Sequence, residues 1–179
     1  MTKIVFARHG ETIGNVDPDF GCNETGFLTL KGMKQAELGA ISLLREKLDI
    51  KHFYTSKMIR AIQTCTIFMQ VLGEFNFRGI HREELLNEWH QPKGPFEQKV
   101  DEVKMILPEI LSSDGNVLVV SHYFTMQAIF DVLELDKPRE QYWSHLKTVS
   151  HARPFIYDTE EKTLDIFNEH RKDNGVAHG

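Results

Sequence analysis

Apolar positions along this chain fall into two alternating rhythms, short dense runs and longer stretches spaced by three and four. Lys3–Arg8 (KIVFAR) sets four apolar residues together before a polar turn, the pattern of a strand covered on both faces. Thr29 stands where a helix N-cap belongs, and Met33, Ala36, Ala40, Ile41, Leu44 and Leu48 recur at helical spacing, which predicts a helix to about Leu48. Residues 52–55 (HFYT) predict a brief second strand. Ser56 is placed to cap a helix carrying Ile59, Ile62, Phe68 and Leu72 and closed by Gly73. Phe96–Leu111 has helical periodicity, with Pro108 expected to kink or shorten it. Residues 116–120 (NVLVV) give the clearest buried strand, and residues 123–133 the helix after it. Two antiparallel strands are expected at about 153–157 and 163–168, before the chain turns polar and frays beyond about 170.

Strands alternating with helices predict an α/β sandwich around a mostly parallel central sheet. No repeat, low-complexity tract or Pro/Gly/Ser-rich linker divides residues 1–179, so a single domain is expected. A chain of 179 residues buries roughly 70% of its unfolded surface around one core. With 21 Lys+Arg against 26 Asp+Glu and a net charge of −5, it lacks the basic excess that nucleic acid or an anionic membrane requires. No apolar run approaches the about 20 residues of a membrane span. The N-terminal segment meets a charge at Arg8, too soon for a signal-peptide core. Cys22 and Cys65 lie far apart and outside any CxxC arrangement, as expected of free thiols in a reducing, cytoplasmic setting.

In such sheets, ligands gather beyond the carboxyl ends of the strands. Two predicted strands run there into histidine, one into His9 and the other into His122. Taken singly, each is more often a hydrogen-bonded boundary residue than a catalyst. At equivalent ends of two buried strands they make a pair. Arg8 abuts His9, and Arg60 lies in the opening turn of the helix after Ser56, facing the same rim. Helix N-termini and arginine forks both favour phosphate. Two arginines with two imidazoles therefore point to a phosphoryl pocket.

These residues carry a resemblance to the histidine phosphatase superfamily, whose fold is phosphoglycerate mutase-like. Arg8, His9, Gly10, Glu11, Thr12 and Asn15 resemble its RHGE(T/S)xxN signature, and Leu28, Thr29, Gly32, Gln35 and Ala36 are similar to its LTxxGxxQA stretch. Residues 56–64 (SKMIRAIQT) resemble SxxxRAxQT, and Val120, Ser121 and His122 occupy the place of its late SHG. The resemblance covers the chain to about residue 130 and implies a three-layer α/β/α sandwich. It also implies that His9 is a nucleophile forming a phosphohistidine, that Arg8, Arg60 and His122 hold the phosphate oxygens, and that Asn15 lines the pocket. The family draws its general acid from an L-x-E pattern, which Leu86, Asn87 and Glu88 fit. Glu88 is the choice, with Glu84 and Glu83 as rivals and a solvated acidic cluster as the alternative for all three. Partial burial beside Trp89 is expected to keep Glu88 protonated. Cations around His9 are expected to lower its pKa, and hydrolysis split into two displacements demands neither metal nor cofactor.

Two departures stand out. Tyr123 replaces the glycine of SHG, and it either begins the helix pointing away or shapes the pocket. Residues 89–95 (WHQPKGP) replace the family's glycine-bearing turn after the acid, so substrate identity does not carry over; His90 and Lys93 meet either a second anionic group or solvent. Residues 17–28 begin like a calcium loop but lack the sixth-position glycine and twelfth-position glutamate. No histidine cluster has zinc spacing. His145, His151, His170 and His178 are expected on the surface, and Phe20 and Phe27 either overhang the pocket or pack locally. The expected activity is hydrolysis of a phosphomonoester, on a small phosphorylated substrate or a phosphoprotein. Mutase-type transfer and protein phosphohistidine phosphatase activity are the enzymatic alternatives, and a phosphate-recognition module without turnover is a distant third. The chain leaves little sequence for a lid shielding a phosphoenzyme from water, which favours hydrolysis.

Overall fold

A computed structural model describes residues 2–17, 26–88, 95–133, 135, 138–148 and 151–166. Period-2 alternation in β1 (Lys3–Arg8) sends Ile4 and Phe6 to one face of the sheet and Val5 and Ala7 to the other. Both faces are apolar, so helices cover both. On the Val5/Ala7 face lie α2 (Leu30–Arg45) and α3 (Ile59–Leu72), contributing Ala36, Ala40, Leu43, Ala61, Cys65 and Phe68. On the Ile4/Phe6 face lie α4 (Phe96–Leu111), α5 (Tyr123–Val132) and α6 (Arg139–Thr148). Between them runs a six-stranded sheet in the order β3-β2-β4-β1-β5-β6, completed by β2 (Ile50–Ser56), β3 (Ile80–Glu83), β4 (Asn116–Ser121), β5 (Pro154–Asp158) and β6 (Leu164–Ile166). The first four strands are parallel, β5 pairs antiparallel with β1, and β6 pairs antiparallel with β5. The three-layer sandwich expected from the sequence is thus present, its sheet mixed but mostly parallel.

The register positions the site. Arg8 pairs with Ser121 and Ser56 with Glu83, so the parallel strands end level along one edge. Because β5 runs the other way, its first residue, Pro154, lies beside Ala7 at that same edge. Whatever precedes β5 therefore arrives next to whatever follows β1.

Several expected elements are corrected. The helix begun at Thr29 stops at Arg45 rather than Leu48, where Lys47 takes a positive φ of 53°. Its buried face is also rotated: Met33 and Leu44 are exposed, while Gly32, Gly39 and Leu43 face inward. Backbone packs so closely at Gly32 and Gly39 that glycine stands on the inner stripe there. A Cβ on Gly39 would stand 2.2 Å from the Ala152 carbonyl oxygen. Ser56 is not a helix cap but the last residue of β2, and α3 begins at Ile59 after Met58. Gly73 closes α3 in the left-handed conformation as expected, at φ 83°. Pro108 neither shortens nor ends α4, since it stands in the last turn. The edge strand β3 and helix α6 were not predicted; β3 is only four residues with two exposed, too short and polar for periodicity to register. A short helix, α1 (Ile13–Val16), was also not predicted. Residues Phe20, Cys22, Trp89, His90, Lys93, His170 and His178, and the tail beyond 170, lie outside the described residues, as does the His145 side chain. Cys65 is a free, buried thiol whose pKa burial pushes up to about 12. No helix among the described residues is long and apolar enough to cross a membrane.

Candidate active site

His9 follows β1 directly and is buried, its backbone N–H donating to the Ser121 carbonyl at 3.0 Å. Its Nδ1 lies 2.7 Å from the Gly10 carbonyl oxygen. A carbonyl only accepts, so Nδ1 carries the proton and Nε2 holds a lone pair. Consistently, Arg60 Nε donates toward Nε2 at 3.3 Å. Burial, then the Arg60 and Arg8 guanidinium charges, push the His9 pKa well below the ordinary imidazole value, so the ring is neutral at neutral pH.

The backbone after His9 is held by the residues of the neighbouring motifs. Gly10 N–H donates to Thr64 Oγ1 at 3.0 Å, and Glu11 N–H to Gln35 Oε1 at 2.8 Å. The Glu11 carboxylate accepts from Thr29 Oγ1 and from Lys31 Nζ, and that lysine holds its pKa down. A Cβ on Gly10 would lie 2.4 Å from the Gly32 carbonyl oxygen, so loop and α2 meet backbone to backbone. The Thr29, Gly32, Gln35 and Thr64 positions thus fix the loop that carries His9.

His122 sits one residue past β4 and is fully buried. Its Nε2 lies 2.7 Å from Ser56 Oγ, which already accepts from Met58 N–H at 3.2 Å. With the hydroxyl proton given to Nε2, the imidazole proton rests on Nδ1. That atom is buried with no hydrogen-bond partner among the described residues. It faces the Glu88 Oε2 at 3.9 Å. The His9 and His122 ring centroids are 5.1 Å apart. Burial, then His9 and the two arginines, lower the His122 pKa well below its ordinary value.

Glu88 reaches this pair because its approach is tied down. After a 3-10 turn (Glu84–Leu86), Lys99 donates to the Leu85 carbonyl at 3.1 Å, Ser121 Oγ to Leu86 at 2.8 Å and Thr125 Oγ1 to Asn87 at 2.8 Å. Glu88 Oε1 then accepts from Phe124 N–H in the first turn of α5 at 3.2 Å. The rival Glu84 points outward to Lys57, its side chain 75% exposed against 12% for Glu88. Glu83 ends β3, opposite Ser56.

Arg60, the second residue of α3, is buried beside His9, with Nη2 also 3.0 Å from Met58 Sδ. The Arg8 guanidinium lies 5.5 Å from the centre of the Tyr123 ring. Tyr123 begins α5 with its ring against Arg8, so it does not point away from the site. Asn15 is exposed, and its Oδ1 accepts from both the backbone N–H and the hydroxyl of Thr12 in the cap of α1. Phe27 is exposed. His151 was expected on the surface; instead it is half-buried with its ring 5.9 Å from that of His9. Ser56 and His151 are the residues that sequence reasoning missed. The signal for His151 was its place just before a strand antiparallel to β1. Among the described residues, no group of three or more His, Cys, Asp or Glu is arranged to hold a metal ion.

A buried imidazole unprotonated at Nε2, two arginines and a second imidazole form an arrangement that can hold a phosphoryl group. Residues 4–111 match the histidine phosphatase superfamily (branch 1), and the chain belongs to that family. A 2,3-bisphosphoglycerate-dependent phosphoglycerate mutase of Dichelobacter nodosus is 32% identical over 90 residues, which are 50% of this chain and 36% of that enzyme. The match therefore spans little more than a third of the mutase's length. The solved phosphoglycerate mutase of Bacillus anthracis superposes with a TM-score of 0.69 at 16% identity, covering 93% of this chain and 91% of that one. A mycobacterial glucosyl-3-phosphoglycerate phosphatase in complex with VO3 superposes with a TM-score of 0.67 at 16% identity, covering 92% and 96%. The fold is thus shared with mutase and phosphatase alike.

Proposed function

We propose that this protein is a phosphatase that hydrolyses a phosphomonoester through a phosphohistidine on His9. The observation that carries the reading is the His9 ring, whose Nδ1 is committed to the Gly10 carbonyl while Nε2 is unprotonated and accepts only a long hydrogen bond from Arg60 Nε, at 3.3 Å. In the first step Nε2 attacks phosphorus and the bond to the leaving oxygen breaks. Glu88, in its acid form, gives that oxygen its proton. In the second step water attacks phosphorus, Glu88 takes the proton of the water, and the P–N bond breaks to release orthophosphate and restore Nε2. Arg8, Arg60 and the His122 Nδ1–H neutralise charge on the phosphoryl oxygens, the main demand of a loose phosphoryl transition state. Asn15 lends its amide N–H group from the rim.

Hydrolysis rather than transfer is favoured by the short path from Glu88 to Phe96, where α4 begins, which leaves little chain to shield a phosphoenzyme. The experiment is turnover of p-nitrophenyl phosphate and of alkyl phosphates, with orthophosphate release measured. One orthophosphate per alcohol, inhibition by vanadate and insensitivity to chelators are expected; phosphate delivered to a second hydroxyl instead of water would make the protein a mutase. Glu88→Gln lowers kcat on alkyl phosphates by about 10²-fold, the scale of a lost general acid. On phosphohistidine the same variant changes kcat less than about threefold, because a leaving imidazole exchanges protons readily. Equal losses on both substrates would remove Glu88 from the acid role.

A further inference from the structure

The sheet order sets β4 and β5 on the two sides of β1. His122 comes from the β4 side. From the β5 side comes His151, its ring tilted 46° to that of His9 with centroids 5.9 Å apart. The turn bearing His151 is fixed at three points. Ala152 takes a positive φ of 60°, its N–H donates to the Arg8 carbonyl at 2.9 Å, and its own carbonyl rests against Gly39. His151 is therefore attached to the backbone of Arg8, immediately before His9. Its Nε2 is buried and has no hydrogen-bond partner among the described residues, a costly arrangement unless a ligand completes it.

We propose that His151 is a third phosphate-binding imidazole of this site, hydrogen-bonding through Nε2 to a non-bridging oxygen of the bound phosphoryl group. Burial, then the Arg8 charge, lower its pKa to about 4, so in the free protein it is neutral and does not compete with the arginines. A neutral ring adds a directional donor without adding charge. It gives the nucleophile an imidazole on each flank, His122 on one and His151 on the other. This rests on the phosphatase reading for its substrate, while the Kd of inorganic phosphate tests it without turnover.

The test compares wild type with His151→Phe, which keeps ring packing against His9 and removes Nε2, and with His151→Gln, whose amide nitrogen reaches a similar point. Far-UV circular dichroism establishes folding. The readouts are KM and kcat on p-nitrophenyl phosphate, inhibition by orthovanadate, and the Kd of inorganic phosphate by calorimetry. His151→Phe should raise KM, the vanadate inhibition constant and the phosphate Kd together by about tenfold, the scale of a hydrogen bond to a charged group. kcat should change less than about threefold, and His151→Gln should recover most of the loss. His151→Ala is measured alongside, so that a Phe variant that fails to fold leaves the Ala–Gln comparison to decide. Unchanged phosphate and vanadate affinity in Phe or Ala, or a kcat loss that Gln does not recover, would overturn the proposal and leave His151 a packing residue. A wild type that binds phosphate but turns over no phosphomonoester would overturn the phosphatase reading alone.

Discussion

The two strand-end imidazoles, His9 and His122, are the same side chain at equivalent places, yet their surroundings give them opposite chemistry. His9 donates from Nδ1 to its own neighbour's carbonyl, which leaves Nε2 unprotonated and accepting from Arg60. His122 is held at Nε2 by the Ser56 hydroxyl, which leaves a proton on Nδ1 facing Glu88. Burial and the facing arginines keep both rings neutral, so the difference is not charge but tautomer. In the mechanism proposed, one ring is the attacking nucleophile and the other a hydrogen-bond donor. A single acceptor or donor from the backbone or a serine decides which.

His9→Ala is the most severe way to break this contrast. It should abolish aryl phosphate hydrolysis, a loss of about 10⁴-fold or more, while the protein remains folded, as steady-state assay and circular dichroism would show. Undiminished turnover would mean that another group attacks phosphorus. His122→Ala removes a donor rather than the nucleophile and should lower kcat/KM by about 10²–10³-fold. A loss as complete as that of His9→Ala would mean the two rings do not differ in role. Ser56→Ala sharpens the comparison further, because it leaves both rings in place and releases only the tautomer of His122. It should lower kcat/KM by about tenfold, in line with residues that orient a catalytic ring. No change there would show that Ser56 does not set the proton's position.

The smallest effect concerns stability and pH. In the unfolded chain each ring takes up its proton near 6.5, whereas in the folded protein both pKa values lie well below that. As pH falls below 6.5 the unfolded chain binds protons that the folded chain refuses, so stability declines with acid. Each ring adds up to about 1.4 kcal/mol per pH unit to that slope until its folded pKa is reached. His9→Ala should flatten the decline by one ring's share in urea unfolding between pH 6.5 and 5. Parallel curves for variant and wild type would show that the His9 pKa is not lowered by folding.

The strands β1 and β4 and helix α4 were readable in the sequence because their apolar residues are dense or regularly spaced. So were the residues at the strand ends, since a polar turn after a buried run marks the open edge of the sheet. Elsewhere periodicity misled. The buried face of α2 follows Gly32 and Gly39, whose signal is closeness of backbone rather than hydrophobicity. Ser56 looked like a cap because a hydroxyl near a helix start serves equally well as a strand end that holds a distant histidine, and only its contact with His122 separates the two. His151 could not be found from local pattern at all. It is 142 positions from His9 (151 − 9), and it is the antiparallel direction of β5 that brings it there.

The central claim is that phosphorus becomes bonded to His9. Rapid acid-free quenching of wild type with a ³²P-labelled phosphomonoester, followed by peptide mapping, tests it most directly. The account predicts an acid-labile, alkali-stable label on the peptide containing His9, absent from His9→Ala. Turnover with no labelled protein at any quench time, or label recovered on a carboxylate such as Glu88, would contradict it.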